Sequence, residues 1–146
     1  MAVLSGLYNF LTQNSAAAVV QALLTPAPQN QVHFSLAPKQ PVRPFLVIHL
    51  LDGPPAEATL TGSSALIDAE FQFDSYADDQ LTARALSQAV RDALKNLEGS
   101  LPDGTVVNFY QVVVDLDERY ELGGSVGYIF RSLVRIRAFY TEPGSS

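Results

Sequence analysis

The sequence contains no cysteine, only two histidines, and no apolar run long enough to cross a membrane as a helix. Without cysteine there is neither a disulfide nor a thiolate metal site, and the redox compartment is left open. His33 and His49 are not spaced as a metal motif. The longest plainly apolar run, Phe45 to Leu51, is interrupted by His49 and falls far short of the ~20 residues that a span needs. Basic residues are scarce too: nine Lys and Arg stand against 15 Asp and Glu, for a formal charge of -6 and a pI of about 4.7. A sequence-unspecific nucleic-acid binder carries a basic footprint, and this chain does not. No basic residue precedes the apolar part of "MAVLSGLYNF", so no secretory leader is expected; the expectation is a soluble protein made and used in a cytoplasm.

What remains is a chain of 146 residues, 47% hydrophobic and 16% charged, which fits one domain over 1–146 with a real core. Leu7 to Leu24 is rich in Ala and Leu and predicts helix, with Asn14-Ser15 as a second N-cap that splits it into two bent pieces. Residues 25–44 hold five of the nine prolines and predict a long, exposed connection, within which "VHFSL" could form a short edge strand. "FLVIHLLDG" predicts a strand. In "ALIDAEFQFDSY" Ala65, Ile67, Ala69, Phe71 and Phe73 alternate with Asp68, Glu70, Gln72 and Asp74, the pattern of a half-buried antiparallel strand with an acidic outer stripe. "DDQLTARALSQAVRDALKNLEG" predicts the strongest helix: Asp78 or Asp79 caps it, Leu86, Val90, Leu94 and Leu97 form its apolar stripe, and Gly99 ends it. "VVNFYQVVVDL" and "GYIFRSLVRIRAFY" predict two more strands joined by a loop, "DERYELGGSV", and 141–146 predicts a loose tail. The order α-β-β-α-β-β implies an α+β fold, a mainly antiparallel four-stranded sheet with helices on one face.

No residue pattern argues for catalysis. "GGSVG", residues 123–127, matches G-x-S-x-G, but a strand follows Ser125 where a nucleophile elbow needs a helix, and both histidines precede the serine. "DLDER" lacks the rest of a calcium loop. Asp68, Glu70 and Asp74 read as a solvated strand face before they read as an acid–base pair. No enzyme, cofactor or metal is expected.

The feature that asks for explanation is "YIFRSLVRIRAFY". Strand alternation puts Arg131, Arg135 and Arg137 on one face and Tyr128, Phe130, Val134, Ile136 and Tyr140 on the other. Two compatible readings stand. The arginines pair with the acidic stripe inside the sheet, at roughly 0.2–1 kcal/mol per pair. Alternatively, basic and acidic strips meet across subunits, which suits head-to-tail association in a closed ring.

The chain resembles the tail-completion proteins of long-tailed bacteriophages, also called tail terminators or tail-to-head joining proteins. The resemblance runs from the N-terminal helix to Tyr140. It is carried by "RPFLVIHL", by "ALIDAEFQFDSYADD" leading into a capped helix, by "ALSQAVRDALKNLEG", and by the closing hairpin "DERYELGGSVGYIFRSLVRIRAFY". The proline-rich segment 25–44 and "DGPPAEATLTG" depart from the shorter forms of that family. The resemblance implies a structural virion protein assembled in the host cytoplasm, without catalysis or cofactor. It implies a ring, usually of six copies, that caps the head-proximal end of the tail tube, stops its polymerisation and meets the neck proteins. DNA passes through its lumen, and no membrane is involved. On that reading Arg131, Arg135 and Arg137 lie at the subunit interface. Asp68, Glu70 and Asp74 line the lumen or the seam, and Glu118, Arg119, Tyr120 and Glu121 in the hairpin loop touch partners. A head-completion or neck ring protein, a non-viral interaction domain and a hydrolase centred on Ser125 are the alternatives.

Overall fold

The fold was analysed in a computed structural model that describes residues 2–38, 41–51, 67–95, 97, 101, 105–121 and 128–141. The predicted glycine cap Gly99, the turn after Leu51, Ala65, the "GGSVG" segment and the tail after Thr141 lie outside those residues.

The N-terminal helical segment is split as its sequence predicts. Helix α1 spans Ala2–Gln13, a single 3-10 turn covers Ser15–Ala17, and α2 spans Ala18–Leu23. The break falls at Asn14, whose extended backbone and side-chain oxygen, accepting from the Ala16 amide at 2.9 Å, start the turn.

The prolines that follow do not produce a wholly exposed connection. Pro28–Asn30 forms another 3-10 turn, and Val32–Phe34 is strand β1. Gln31, between them, is buried and ties the segment together. Its amide nitrogen donates to the Thr25 and Pro44 carbonyls, both at 2.7 Å, and its side-chain oxygen accepts from the Ala27 amide at 2.8 Å. Its own carbonyl accepts from Leu46 at 2.8 Å, which sets β1 beside β2, Phe45–Leu50. Among the described residues the sheet therefore has five strands, not four. The fifth is short, and its pairing is fixed by one buried glutamine rather than by a long apolar run.

Strand β3 spans Ile67–Ala77, α3 Gln80–Lys95, β4 Val106–Glu121 and β5 Tyr128–Thr141. The strand order is β1-β2-β3-β5-β4; β1 runs parallel to β2 and every other pair is antiparallel. Helix α3 begins at Asp79, whose carboxylate accepts from the Thr82 amide at 2.8 Å and its hydroxyl at 2.9 Å. Leu46, Ile48, Ala69, Phe71, Phe73, Val134, Ile136, Ala138 and Tyr140 share one face by alternation. They form a single buried cluster with Leu7, Phe10 and Leu11 of α1, Val20 of α2, and Leu86, Val90 and Leu94 of α3. Phe71 is its centre, with ring centroids of Phe109 and Tyr140 at 5.8 and 6.1 Å.

Because Gln31 satisfies three backbone groups at once, Gln31→Ala is expected to lower stability by about 2–3 kcal/mol. In urea denaturation this appears as a lower midpoint with the slope unchanged.

Candidate assembly surface: the outer sheet face and its edges

The face of the sheet opposite the core carries the arginine row and the acidic stripe. Its floor is set by register. Glu70 pairs with Arg137, Gln72 with Arg135, Asp74 with Leu133 and Tyr76 with Arg131 along β3 and β5, and Glu118 of β4 lies opposite Arg131. The three arginines thus meet the acidic stripe inside one chain. Arg137 donates to Asp68 at 2.8 Å, and Tyr110 donates to the other oxygen of Asp68 at 3.2 Å. Arg135 donates to the Gln72 side-chain oxygen at 2.9 Å, with Glu70 at 3.8 Å. Arg131 donates to Glu118 and lies 3.5 Å from Asp74.

Asp74 is the buried member of this row. His49 of β2 reaches it at 3.1 Å and the Gln72 amide donates to it at 2.9 Å, so three neighbours compensate one desolvated carboxylate. Burial works against the charged form of Arg131. The Glu118 hydrogen bond, Asp74 and Tyr76 outweigh it, and the guanidinium is held above its ordinary pKa. The Tyr120 ring, 5.3 Å away, adds a cation–π contact. A cleft of about 420 Å³ opens above this cluster, walled by Phe45, Val47, Leu36 and Tyr76. Sequence alternation identified the arginines and acids. It placed Gln72 on the same stripe but gave no role to His49, Tyr76 or Tyr110, whose contacts depend on which strands become neighbours.

On the core side of β4, Asp115 accepts from Arg84 at 2.5 Å and from Arg91 at 2.7 Å. Arg84 and Arg91 of α3 therefore anchor the helix to β4. A second cleft, about 280 Å³, lies between α3 and β4 where register shifts at Phe109/Gln111 and Val112/Val114 bulge the strand.

The residues expected in a hairpin loop are strand residues. Glu118, Arg119, Tyr120 and Glu121 pair with Arg131, Phe130, Ile129 and Tyr128, so β4 runs through the charged segment. The physical reason is cross-strand partnership: Glu118 has Arg131, and the Arg119 guanidinium lies over the Tyr128 ring at 4.7 Å. Ser125 lies outside the described residues. Among the described residues no group of three or more His, Asp or Glu could hold a metal ion.

Two expectations follow. Arg131→Met leaves Asp74 buried with weaker compensation and is expected to cost about 3–5 kcal/mol. Arg137→Met removes a pair that is over a third exposed and is expected to leave the midpoint nearly unchanged, both read by urea denaturation. Acid stability depends on Glu118, lowered from 4.5 by Arg131, and on Asp79, lowered from 3.8 by the Thr82 amide and hydroxyl. Depressed carboxylates stabilise the fold above their unfolded values and lose that contribution as pH falls through the folded ones. The denaturation midpoint should therefore drop as pH falls below about 4.5, and Asp79→Asn should flatten part of that drop.

Comparison with known proteins places this surface in a family. The family model for the tail completion protein gp17 matches residues 10–141, from α1 to the last residue of β5, and so takes in all five strands. Among solved structures, a chain from the virion of a native gene transfer agent particle superposes with a TM-score of 0.52. It is 20% identical, and the match covers 92% of this chain and 91% of that one. At that identity the likeness shows a shared fold. No curated protein matches the chain in sequence. The family match spans nearly the whole chain and accounts for the motifs that carry the resemblance: the chain belongs to the tail completion protein gp17 family, structural proteins of phage tails.

Proposed function

We propose that this protein is a tail terminator. Copies close into a ring, taken as six, on the head-proximal end of the tail tube. There they stop tube polymerisation and present a joining surface to the neck. Family membership supports a tail role, and the observation that carries the ring is the open sheet. Among the described residues, strands β1 and β4 each have a neighbour on one side only, and both ends expose apolar side chains.

Within this reading the arginine row serves the sheet first. Arg131, Arg135 and Arg137 already have Glu118, Gln72 and Asp68 as partners, so a seam contact for them would compete with bonds inside the chain. The same pairing bears on DNA passage. If the face with Asp68, Glu70 and Asp74 lines the lumen, its cations are occupied by carboxylates and side-chain amides. It then has little free positive charge with which to grip phosphates, and the net charge of -6 per copy disfavours sticking further. Tyr120 and Glu121, at the end of β4, are assigned to tube or neck contacts.

Negative-stain imaging of the purified protein, alone and mixed with tail-tube protein from the same virion, tests the function. Rings, or tubes capped at fixed length, are the expected result. Uncapped tubes beside persistent monomers would overturn the terminator reading, and capture by the neck protein alone would move the protein to the head side of the joint.

A further inference from the structure

We infer that neighbouring copies join edge to edge, with β4 of one copy lying against the β1–β2 edge of the next, and that this contact is the seam. The ring reading supplies closure; the contact itself stands on the distribution of apolar surface. From Val106 to Val114, β4 has no charged residue and no proline. Edge strands of soluble proteins are normally blunted by such residues, which β4 carries only from Asp115 onward. Tyr110, Val112, Val113 and Leu116 are each 39–45% exposed.

The opposite end of the sheet carries the matching patch: Phe34, Leu36, Val42 and Leu51. Of the large apolar residues exposed among the described residues, Val19, Leu81 and Tyr128 of the inner strand β5 lie away from the two ends. That distribution selects the occupant. A two-fold contact of β4 with β4 covers one patch and leaves the other in water. A head-to-tail contact covers both with a single interface and repeats from copy to copy.

The ladder registers show that the patches stand at matching heights. One rung runs Phe34, Ile48, Phe73, Val134, Asp115, and another runs Leu50, Phe71, Ile136, Val112. Leu51 is tied to Glu70, whose rung ends at Gln111. With rungs level between copies, Phe34, Leu36 and Leu51 face the stretch from Gln111 to Leu116. The charges agree with the same alignment. Arg119 has no carboxylate partner among the described residues and shares a rung with Ala77 through Phe130. Asp78, the next residue, accepts from Arg43 at 2.7 Å and leaves 72% of its side chain exposed. Level rungs bring Arg119 of one copy to Asp78 of the next. The two bulges in β4 bend it, so side chains rather than a long flat backbone ladder carry the contact.

The absence of native cysteine makes the test clean. Leu36→Cys/Val113→Cys is treated with a short bis-maleimide, alone and on tail-tube tips. Within one chain the two positions are separated by the full width of the sheet, roughly 19 Å from strand spacing, which a short linker does not bridge. The expected result is a ladder from dimer upward. The Val19→Cys/Val113→Cys control should give none. Rings or capped tubes without the Leu36–Val113 ladder would overturn the seam and leave the terminator reading intact. A ladder on open chains that never close would keep the seam and overturn the ring. Dimers from Val113→Cys alone would show a two-fold contact and overturn the seam. Monomers under every condition would overturn both. As a second variant, Val113→Asp should reduce assembled material at least tenfold while its urea midpoint stays unchanged; assembly at the original level would count against the seam.

Discussion

The ladder between β3 and β5 satisfies two demands with one register. On its inner side Phe71 meets Ile136 and Phe73 meets Val134, in the centre of the buried cluster. On its outer side Glu70 meets Arg137 and Gln72 meets Arg135. Burial of each large inner side chain is worth about 1.5–3 kcal/mol, and each outer pair roughly 0.2–1 kcal/mol. The inner face therefore supplies the stability. The outer face supplies the penalty for misalignment: slipping the register by one residue turns arginines into the core and phenylalanines into water. The helices, the short β1 strand and the β4 extension all lean on this pairing, because β2 and β4 flank it on either side.

Asp74 sharpens that point. A buried carboxylate is a liability unless every neighbour cooperates, and its neighbours come from β2, β3 and β5. Replacing the cluster by apolar residues of similar volume would cost little stability and could raise it. Its use is specificity. His49, Gln72 and Arg131 can converge on Asp74 only when β2, β3 and β5 stand in the observed order and register. The neutral outer surface that results, with cations and anions matched inside the chain, is also what a passage for a polyanion calls for under the ring reading.

Much of this was legible in local pattern. Alternation of Ile67, Ala69, Phe71 and Phe73 with acids, and of Val134 and Ile136 with arginines, gave the faces of β3 and β5, and the Asp79 cap and Leu86–Val90–Leu94 stripe gave α3. What local pattern does not contain is adjacency. Asp68 and Arg137 are far apart in sequence, so whether their charges meet within a chain or between chains was undecidable until β3 was placed beside β5. Strand β1, offered by "VHFSL" but left out of the four-stranded sheet, has three residues, and its position comes from Gln31, a polar residue with no periodic signature. The charged run 117–121 resembled a loop because its carboxylates and arginine looked solvated, whereas Arg131 and Tyr128 across the ladder keep it extended.

The division between a finished interior and unfinished edges separates folding from assembly. Among the described residues every strand but β1 and β4 is paired on both sides, and the core draws side chains from α1, α2 and α3. A single copy therefore folds without a neighbour's help in its centre, while its two ends still expose apolar surface to water. Such a chain gains by association at its edges, and the bulges in β4 keep that gain from becoming indefinite flat-sheet growth. Whether repetition of the contact gives a closed ring or an open filament is fixed by the rotation between copies. On the terminator proposal, a tail end would be the template that sets this rotation, so that the edge patches of each copy need to supply the contact and not the closure.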